Sequence, residues 1–359
     1  MNSTEESRAA KALARDIREL ASKAPGALRF MEVCGTHTMA IHSAGLKSFF
    51  PANLKLVSGP GCPVCVTEKR FIDHAILIGQ KYDACLVTFG DLIKVPGSVG
   101  SLATFRSEGG AVRVVYSPLD SIEIALQQSG RPTVFLGVGF ETTIPTVAAT
   151  LKTATARGIE NFFVLPAFKT IHPPLKALAA KNDLHGFLLP GHVSAIIGSD
   201  SYEYLVREFH KPGVVAGFEP LDILLALRDL VRATVEASPA ILNDYKRVVR
   251  SEGNPTARMI VEEVFEPCDA SWRGLGVIPG SGLALRGSYS RFDAGLHLPV
   301  EVPDAQDDPR CLCAAILTGS KTPDRCGLFG KDCTPEDPVG PCMVSSEGTC
   351  AAYYKYGTA

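Results

Sequence analysis

The sequence predicts an α/β protein with two lobes of parallel sheet around a cleft, followed by a third, cysteine-rich part. Short apolar runs alternate with helix-like stretches over most of the chain, which is typical of parallel strands covered by helices. An apolar run that ends in Gly-Phe-Glu occurs twice, from Val138 and from Ala216, and indicates two similar lobes. From about Ser238 the chain becomes rich in Gly, Pro and Cys and loses its hydrophobic periodicity.

The first element is an amphipathic helix at residues 1–23, where both charge signs are mixed with apolar residues. The first lobe is predicted at residues 24–130, with strands ALRFMEV, LKLVSG, YDACLVTF and VRVVYS and helices EKRFIDHAILIG and LDSIEIALQQSG. The second lobe is predicted at residues 131–236, with strands PTVFLGVGF, FFVLPAF, GFLLPG and GVVAGF and helices TVAATLKTATARG and LDILLALRDLVRAT.

The third part, residues 237–359, begins with a predicted helix ILNDYKRVVRSEG and continues through a Gly-rich segment into a Pro- and Cys-rich tail. Such a tail has too few apolar residues to be held together by burial alone. A bound metal is therefore the expected source of its stability.

Composition excludes several classes of function. The net charge of -2 over 359 residues, without long Lys or Arg runs, argues against a nucleic-acid partner. The most apolar stretches are interrupted by charges, which argues against a membrane span. The beginning of the chain does not read as a secretory signal, so a cytoplasmic location is expected. In a reducing compartment, eleven cysteines indicate metal ligation or thiol chemistry.

Four cysteines of the tail, Cys326, Cys333, Cys342 and Cys350, lie in a segment whose Gly, Pro and Thr residues favour turns. Four converging thiolates can hold either a tetrahedral zinc or a 4Fe-4S cluster. Structural zinc sites usually use close pairs of ligands, which this quartet lacks, so we favour the cluster. Just upstream, Cys311 and Cys313 are either substitute ligands or a dithiol.

A second group of sulfurs lies near the start of the chain, which predicts two separate sites. Cys34 follows a strand and precedes a helix, where the helix N-terminus is expected to favour its thiolate. His37 follows one helical turn later and is a candidate ligand or hydrogen-bond partner. The stiff loop GPGCPVC presents Cys62 and Cys65 as either a redox dithiol or half of a metal site.

Other polar residues follow predicted strands, and each alone is expected to be a cap or turn residue. Together they are candidates for lining a cleft, where they would position a small ligand or move protons. Of this set, Glu141 and His192 are the preferred candidates, and the other members are Asp91, His172 and Glu219.

Five blocks in this order resemble the HypD family of hydrogenase maturation proteins: CGTHTMAI, GPGCPVCVT, GFETTIP, PGHVS and CGLFGKDCTPEDPVGPCMVSSEGTCAAYYKY. The resemblance spans nearly the whole chain. It implies two Rossmann-like lobes around a cleft and a third domain carrying a 4Fe-4S cluster. It also implies a scaffold with redox activity, rather than a conventional metabolic enzyme.

By this resemblance, an iron atom with two cyanides and one carbon monoxide, Fe(CN)2CO, is assembled on a complex with the partner HypC. Cyanide comes from the partner HypE, and the product passes to the hydrogenase large subunit precursor. Cys34 would ligate the iron with His37 as its neighbour, Cys62 and Cys65 would be redox-active, and the four tail cysteines would bind the cluster.

We hypothesise that transfer of cyanide from a sulfur-bound donor requires reduction, with electrons passing from the cluster through a dithiol to the iron. Two alternatives belong to other classes. The first is an iron-sulfur-dependent thiol/disulfide oxidoreductase that works through Cys62 and Cys65. The second is an interaction protein whose tail is held together by zinc.

Overall fold

The computed structural model describes residues 3–128 and 130–357. Its strands, numbered in chain order, are β1 (Leu28–Glu32), β2 (Leu54–Ser58), β3 (Cys85–Thr88), β4 (Val112–Val114), β5 (Thr133–Gly139), β6 (Phe162–Phe168), β7 (Gly186–Pro190), β8 (Gly213–Ala216), β9 (Ile241–Asn243), β10 (Phe265–Trp272) and β11 (Gly276–Leu285). The eight predicted strands correspond to β1 through β8 and are confirmed.

The α-helices of the described residues are α1 (Ser3–Ser22), α2 (Gly35–Ser43), α3 (Pro63–Val66), α4 (Lys69–Tyr82), α5 (Leu102–Ser107), α6 (Asp120–Gln127), α7 (Ile144–Ala156), α8 (His172–Ala179), α9 (Gly191–Ile197), α10 (Tyr204–Arg207), α11 (Pro220–Val235), α12 (Pro255–Val264), α13 (Ala294–His297), α14 (Cys313–Leu317), α15 (Pro341–Val344) and α16 (Thr349–Tyr356). The helix predicted at residues 1–23 is α1, with residues 1 and 2 outside the described part. The predicted helices of the two lobes, α4, α6, α7 and α11, are confirmed.

Two parallel sheets and an antiparallel hairpin organise these elements, which confirms the predicted α/β class. The first sheet has the strand order β2-β1-β7-β8-β9, and the second has the order β4-β3-β5-β6. All seven residues of β5 are buried, as expected for a parallel strand with helices on both faces of its sheet. Strands β10 and β11 form the hairpin.

The sheets draw their strands from ranges that differ from the predicted lobes. Strands β1 and β2 share the first sheet with strands that follow residue 185, through the pairing of β1 with β7, while the second sheet uses residues 85 to 168. The predicted boundary at residues 130 and 131 therefore falls within the second sheet, between the paired strands β3 and β5. The chain leaves the first sheet after β2, builds the second sheet, and then returns to finish the first.

The helix predicted for ILNDYKRVVRSEG is wrong. Residues Ile241–Asn243 form β9, which adds to the edge of the first sheet beside β8. The backbone then turns, and the side-chain Nδ2 of Asn243 donates to the Val249 carbonyl at 2.9 Å. Sheet pairing decided the conformation of this short apolar run, whose periodicity alone is ambiguous.

Among the described residues, no helix has both the length and the apolar character needed to cross a membrane.

Candidate functional site

Cys34 lies between the end of β1 and the start of α2 and is the N-cap of that helix, as predicted. The backbone N–H groups of Thr36 and His37 lie close enough to its sulfur to lower the pKa of the thiol, although the cap makes no side-chain hydrogen bond. On its other side, a Cβ added to Gly61 would lie 2.3 Å from the Cys34 nitrogen. Only glycine permits this approach, which holds the loop of the second thiol motif against Cys34.

The prediction that the helix N-terminus favours the Cys34 thiolate is wrong for the protein alone. Burial raises the pKa of the Cys34 thiol to about 12, and the nearby carboxyl groups of Glu347 and Glu32 raise it as well. The N–H groups of Thr36 and His37 act in the opposite direction but do not prevail. The thiol is therefore protonated at neutral pH.

Glu32, the last residue of β1, has a buried carboxyl group that the sequence analysis did not single out. Its Oε2 accepts the N–H of Cys34 at 3.1 Å, and its Oε1 accepts the Thr38 hydroxyl. Burial raises the pKa of Glu32 to about 7, although these hydrogen bonds oppose the shift. The sequence feature that could have identified Glu32 is its place as an acidic residue within the apolar run ALRFMEV, because a buried carboxyl group needs hydrogen-bond partners.

Cys62 and Cys65 form a disulfide, with Cα atoms 5.3 Å apart. Cys62 is the N-cap of α3, where its sulfur accepts the N–H of Cys65 at 3.1 Å. The two residues are 3% and 0% exposed, so neither sulfur is open to a large substrate. We call Cys34, Cys62 and Cys65 the thiol site.

The tail segment, residues 345–347, packs directly on the thiol site. The Ser345 Oγ lies 3.3 Å from the Cys62 sulfur and donates to Asp91 Oδ2 at 3.0 Å. The Thr36 hydroxyl donates to Glu347 Oε1 at 2.6 Å. The sequence did not predict that this segment belongs to the site. The feature that could have indicated it is the polar run SSE between two tail cysteines.

His37 packs into an aromatic stack with a second predicted residue, His192. Its Nε2 donates to the Gly217 carbonyl at 2.9 Å, and its Nδ1 is buried without a partner. The Phe218 ring lies between the two imidazoles. Its centroid is 4.8 Å from that of the His37 ring and 4.0 Å from that of the His192 ring. Burial lowers the pKa of His37 to about 4, so its ring is neutral and its Nδ1 has a free lone pair.

Glu141 lies in a separate buried position. Its Oε1 accepts the N–H of Ile171 at 2.8 Å, while its Oε2 has no hydrogen-bond partner. Burial raises the pKa of Glu141 to about 7. In the described part of the chain, no hydrogen bond joins Glu141 or His192 to Cys34, and their grouping with the thiol site stays a prediction.

The remaining polar residues at strand ends have local roles. Glu219 is the N-cap of α11, and its backbone N–H donates to Asp222 Oδ2 at 3.4 Å. His172 Nδ1 lies 3.2 Å from the Tyr204 hydroxyl. For Glu219, the expected cap role is confirmed.

Six cysteines of the carboxy-terminal part line one small cavity, which we call the cysteine cavity: Cys311, Cys313, Cys326, Cys333, Cys342 and Cys350. Its remaining walls are mainly apolar. The sulfurs of Cys313 and Cys342 lie 2.9 Å apart, and both residues are buried in the main core. Cys311, Cys326, Cys333 and Cys350 share a smaller apolar cluster around Leu328.

The sulfurs of the cysteine cavity influence one another strongly. Hydrogen bonds with the Cys313 and Cys350 thiols raise the pKa of Cys342, and burial acts in the same direction. Within the described ranges, no three His, Cys, Asp or Glu side chains are arranged as ligands of one metal ion. The donor set nevertheless suits an iron-sulfur cluster, since four soft ligands are needed and six face one apolar cavity.

The two sulfur sites are neighbours in space, although the sequence analysis treated them as separate. Helix α15, which contains Cys342, contacts α3, which contains Cys65. The tail segment begins directly after α15 and reaches Cys62 and Asp91. The thiol site and the cysteine cavity thus share one short stretch of chain.

Comparisons with known proteins agree with this arrangement. The family model "HypD: Hydrogenase formation hypA family" matches residues 8–357. The hydrogenase maturation factor HypD of Escherichia coli (strain K12) is 44% identical over 353 residues, which cover 96% of this chain and 94% of that protein. The HypD of Rhizobium leguminosarum bv. viciae is 44% identical over 97% of this chain and 93% of its own length. The HypD of Rhodobacter capsulatus is 40% identical, with 98% and 96% covered.

Proposed function

The chain belongs to the HypD family of hydrogenase maturation factors, and from this premise we propose that it is the scaffold for assembly of Fe(CN)2CO. The iron with its diatomic ligands is the cargo, destined for the nickel-iron hydrogenase. A HypC-type chaperone would share the scaffold, a HypE-type protein would deliver cyanide, and the large subunit precursor would receive the product through HypC.

The observation that carries the proposal is the convergence of three cysteines and a buried imidazole around the start of α2. Gly61 holds the Cys62 loop against Cys34, and His37 presents an unpartnered Nδ1. Ferrous iron with cyanide and carbon monoxide is a soft ion that thiolate suits. We propose that Cys34 ligates the cargo iron, with His37 as a further ligand or as an acceptor beside it.

Hydrogen bonds prepare the Cys62–Cys65 disulfide for a change of redox state. Its reduction takes up two electrons and two protons and yields two thiols. The Ser345 hydroxyl stands between Cys62 and Asp91, at 3.3 and 3.0 Å. In the dithiol state, Cys62 donates to Ser345, whose own proton is directed to Asp91.

For the cluster we propose the ligands predicted from the sequence, Cys326, Cys333, Cys342 and Cys350. All four line the cysteine cavity, and Cys342 interacts directly with Cys350. Cys311 and Cys313 are the candidates for substitute ligands or a dithiol. A 4Fe-4S cluster in this cavity would supply single electrons.

The alternative function, a thiol/disulfide oxidoreductase acting on other proteins, has less support. Both sulfurs of the disulfide are buried and are further covered by the tail segment. A protein disulfide needs direct access to an attacking thiolate. The burial favours a dithiol that serves a site within the scaffold itself.

Infrared spectroscopy of the chain purified anaerobically with its HypC-type partner tests the proposal. The native complex should show bands from iron-bound cyanide and carbon monoxide, and Cys34→Ala should lose them while retaining its iron-sulfur absorption. Cys85→Ala is the matched control, because Cys85 is a buried cysteine in strand β3 that belongs to a different apolar cluster from Cys62 and Cys65. Bands that persist in Cys34→Ala would show that another residue holds the iron.

A further inference from the structure

The turn between β10 and β11 contacts both sulfur sites. Its first residue, Arg273, donates its backbone N–H to the carbonyl of Val66, the residue after Cys65, at 2.9 Å. The next residue, Gly274, has a φ of +78°, and a Cβ there would lie 2.5 Å from the Cα of Ala314. Because Ala314 follows Cys313, the turn lies between the disulfide loop and the cysteine cavity.

The side chain of Arg273 brings a charge into this buried region. It is 3% exposed and forms an ion pair with Asp307, which is 47% exposed. Its Nε lies 3.0 and 2.9 Å from the two carboxylate oxygens. Its Nη1 is buried and has no hydrogen-bond partner in the described part of the chain. A guanidinium remains protonated in such surroundings.

Water screens the two partners of this ion pair unequally. The Asp307 carboxylate is half exposed, so solvent reduces the field of its negative charge. The guanidinium lies in protein of low dielectric, where its field extends further. The interior beside the turn is therefore left with a net positive potential.

The sulfurs of the cysteine cavity lie within reach of this potential. Gly274 packs on Ala314, the residue after Cys313, and Asp307, the ion-pair partner of Arg273, precedes Cys311 in the same segment. The guanidinium interacts electrostatically with the sulfurs of Cys313 and Cys342. The guanidinium thus favours negative charge on the sulfurs, independently of which four of them bind a metal.

We propose that Arg273 is a positioning residue whose buried charge raises the reduction potential of the iron-sulfur cluster. This inference rests on the proposed function, which places a cluster in the cavity. A thiolate-bound cluster gains negative charge when it is reduced, and a nearby buried cation stabilises that charge.

Redox titration of the anaerobically reconstituted full chain tests the inference, with the visible absorption of the cluster as the readout. Arg273→Gln should shift the midpoint potential to a more negative value. Asp307→Asn leaves the guanidinium without its counter-charge and should shift the potential to a more positive value. Arg286→Gln is the control: this arginine also forms an ion pair, with Glu266, but it is 44% exposed, and its removal should leave the potential unchanged.

Opposite shifts in the two variants support the inference, because a purely structural role would move both potentials in one direction or reduce cluster content in both. Unchanged potentials, or shifts of the same sign, overturn it.

If Arg273→Gln binds no cluster, Asp307→Asn decides alone: a positive shift supports the inference, and an unchanged potential refutes it. If the reconstituted wild-type chain contains no iron and sulfide, both the proposed cluster and this inference are overturned. If it binds the cluster but the substitutions leave the midpoint potential unchanged, only the inference is overturned.

Discussion

The hydroxyl of Ser345 lies 3.3 Å from the sulfur of Cys62, although 283 positions separate the two residues in the chain. Ser345 follows the helix that carries Cys342, so this contact links the disulfide to the cysteine-rich tail. The same hydroxyl donates to Asp91 at 3.0 Å and accepts the N–H of Glu347 at 3.2 Å. The tail therefore supplies part of the environment of the Cys62–Cys65 pair.

Ser345→Ala should make the disulfide harder to reduce. In the dithiol state, the buried Cys62 thiol would lose its acceptor, which costs about 1 kcal/mol, or roughly a fivefold change in equilibrium. Equilibration with dithiothreitol buffers, followed by alkylation and mass spectrometry, measures the fraction of dithiol. Ser346→Ala is the matched control, since Ser346 Oγ contacts Asp91 at 2.9 Å and has no bond to Cys62. An equal effect of both substitutions would contradict the role of Ser345.

Gly35→Ala should loosen the tail from the thiol site. A Cβ at this position would lie 2.5 Å from the Cβ of Glu347 and 2.6 Å from its carbonyl oxygen. Such overlap costs about 1–3 kcal/mol, which should appear as a lower free energy of unfolding in urea. Cys34 should also react faster with iodoacetamide. Gly26→Ala is the control, because a Cβ there meets no atom within 4 Å; unchanged stability in both variants would mean that the overlap is relieved without cost.

Cys342→Ser should lose most of the cluster, whereas Cys311→Ser should retain most of it. The reason is that Cys342 is a proposed ligand that interacts directly with Cys350, while the Cys311 thiol interacts mainly with Cys313. Iron and sulfide content after anaerobic reconstitution, together with visible absorption, measures the difference. The reverse order would show that Cys311 takes the place of Cys342 as a ligand. Zinc without sulfide in the purified protein would favour a structural zinc site instead.

Glu141→Gln should change how stability depends on pH. Burial raises the pKa of Glu141 from 4.5 to about 7, so the folded protein holds a proton that the unfolded chain has released between these values. Its contribution to stability is complete below pH 4.5 and is lost as the pH rises to about 7. At pH 8 the free energy of unfolding of the variant should thus be higher than that of the wild type, by on the order of 2–3 kcal/mol. Near pH 4 the two values should match.

Urea unfolding at several pH values measures this difference. Glu160→Gln, at an exposed position in the same lobe, is the control and should keep the wild-type profile. A constant difference between Glu141→Gln and the wild type at all pH values would show that the carboxyl group does not take up a proton on folding.

Local sequence patterns predicted strands β1 to β8 because each is an apolar run that ends in glycine, proline or a polar turn. They did not predict which strands share a sheet. Strand β1 pairs with β7, and this pairing depends on helices and loops that lie far apart in the chain. Residues Ile241–Asn243 show the same limit, since a strand of three residues has no periodicity of its own and is fixed by β8.

The thiol motifs could be located from sequence because glycine and proline mark the loops that present Cys34, Cys62 and Cys65. The partners of these cysteines could not, since Ser345 and Glu347 come from the far end of the chain. The acid-base state of Cys34 also escaped prediction. The local effect of the helix N-terminus was anticipated, but burial and the two nearby carboxyl groups depend on tertiary structure.

The return of the chain to its first sheet has a consequence for biosynthesis. Because β1 pairs with both β2 and β7, one edge of the strand before Cys34 stays open on the ribosome until residues 186–190 have emerged. The cover over Cys62 is completed still later, when Ser345 leaves the exit tunnel. Nascent chains and premature termination products therefore lack a finished thiol site, which is completed only when translation is almost over.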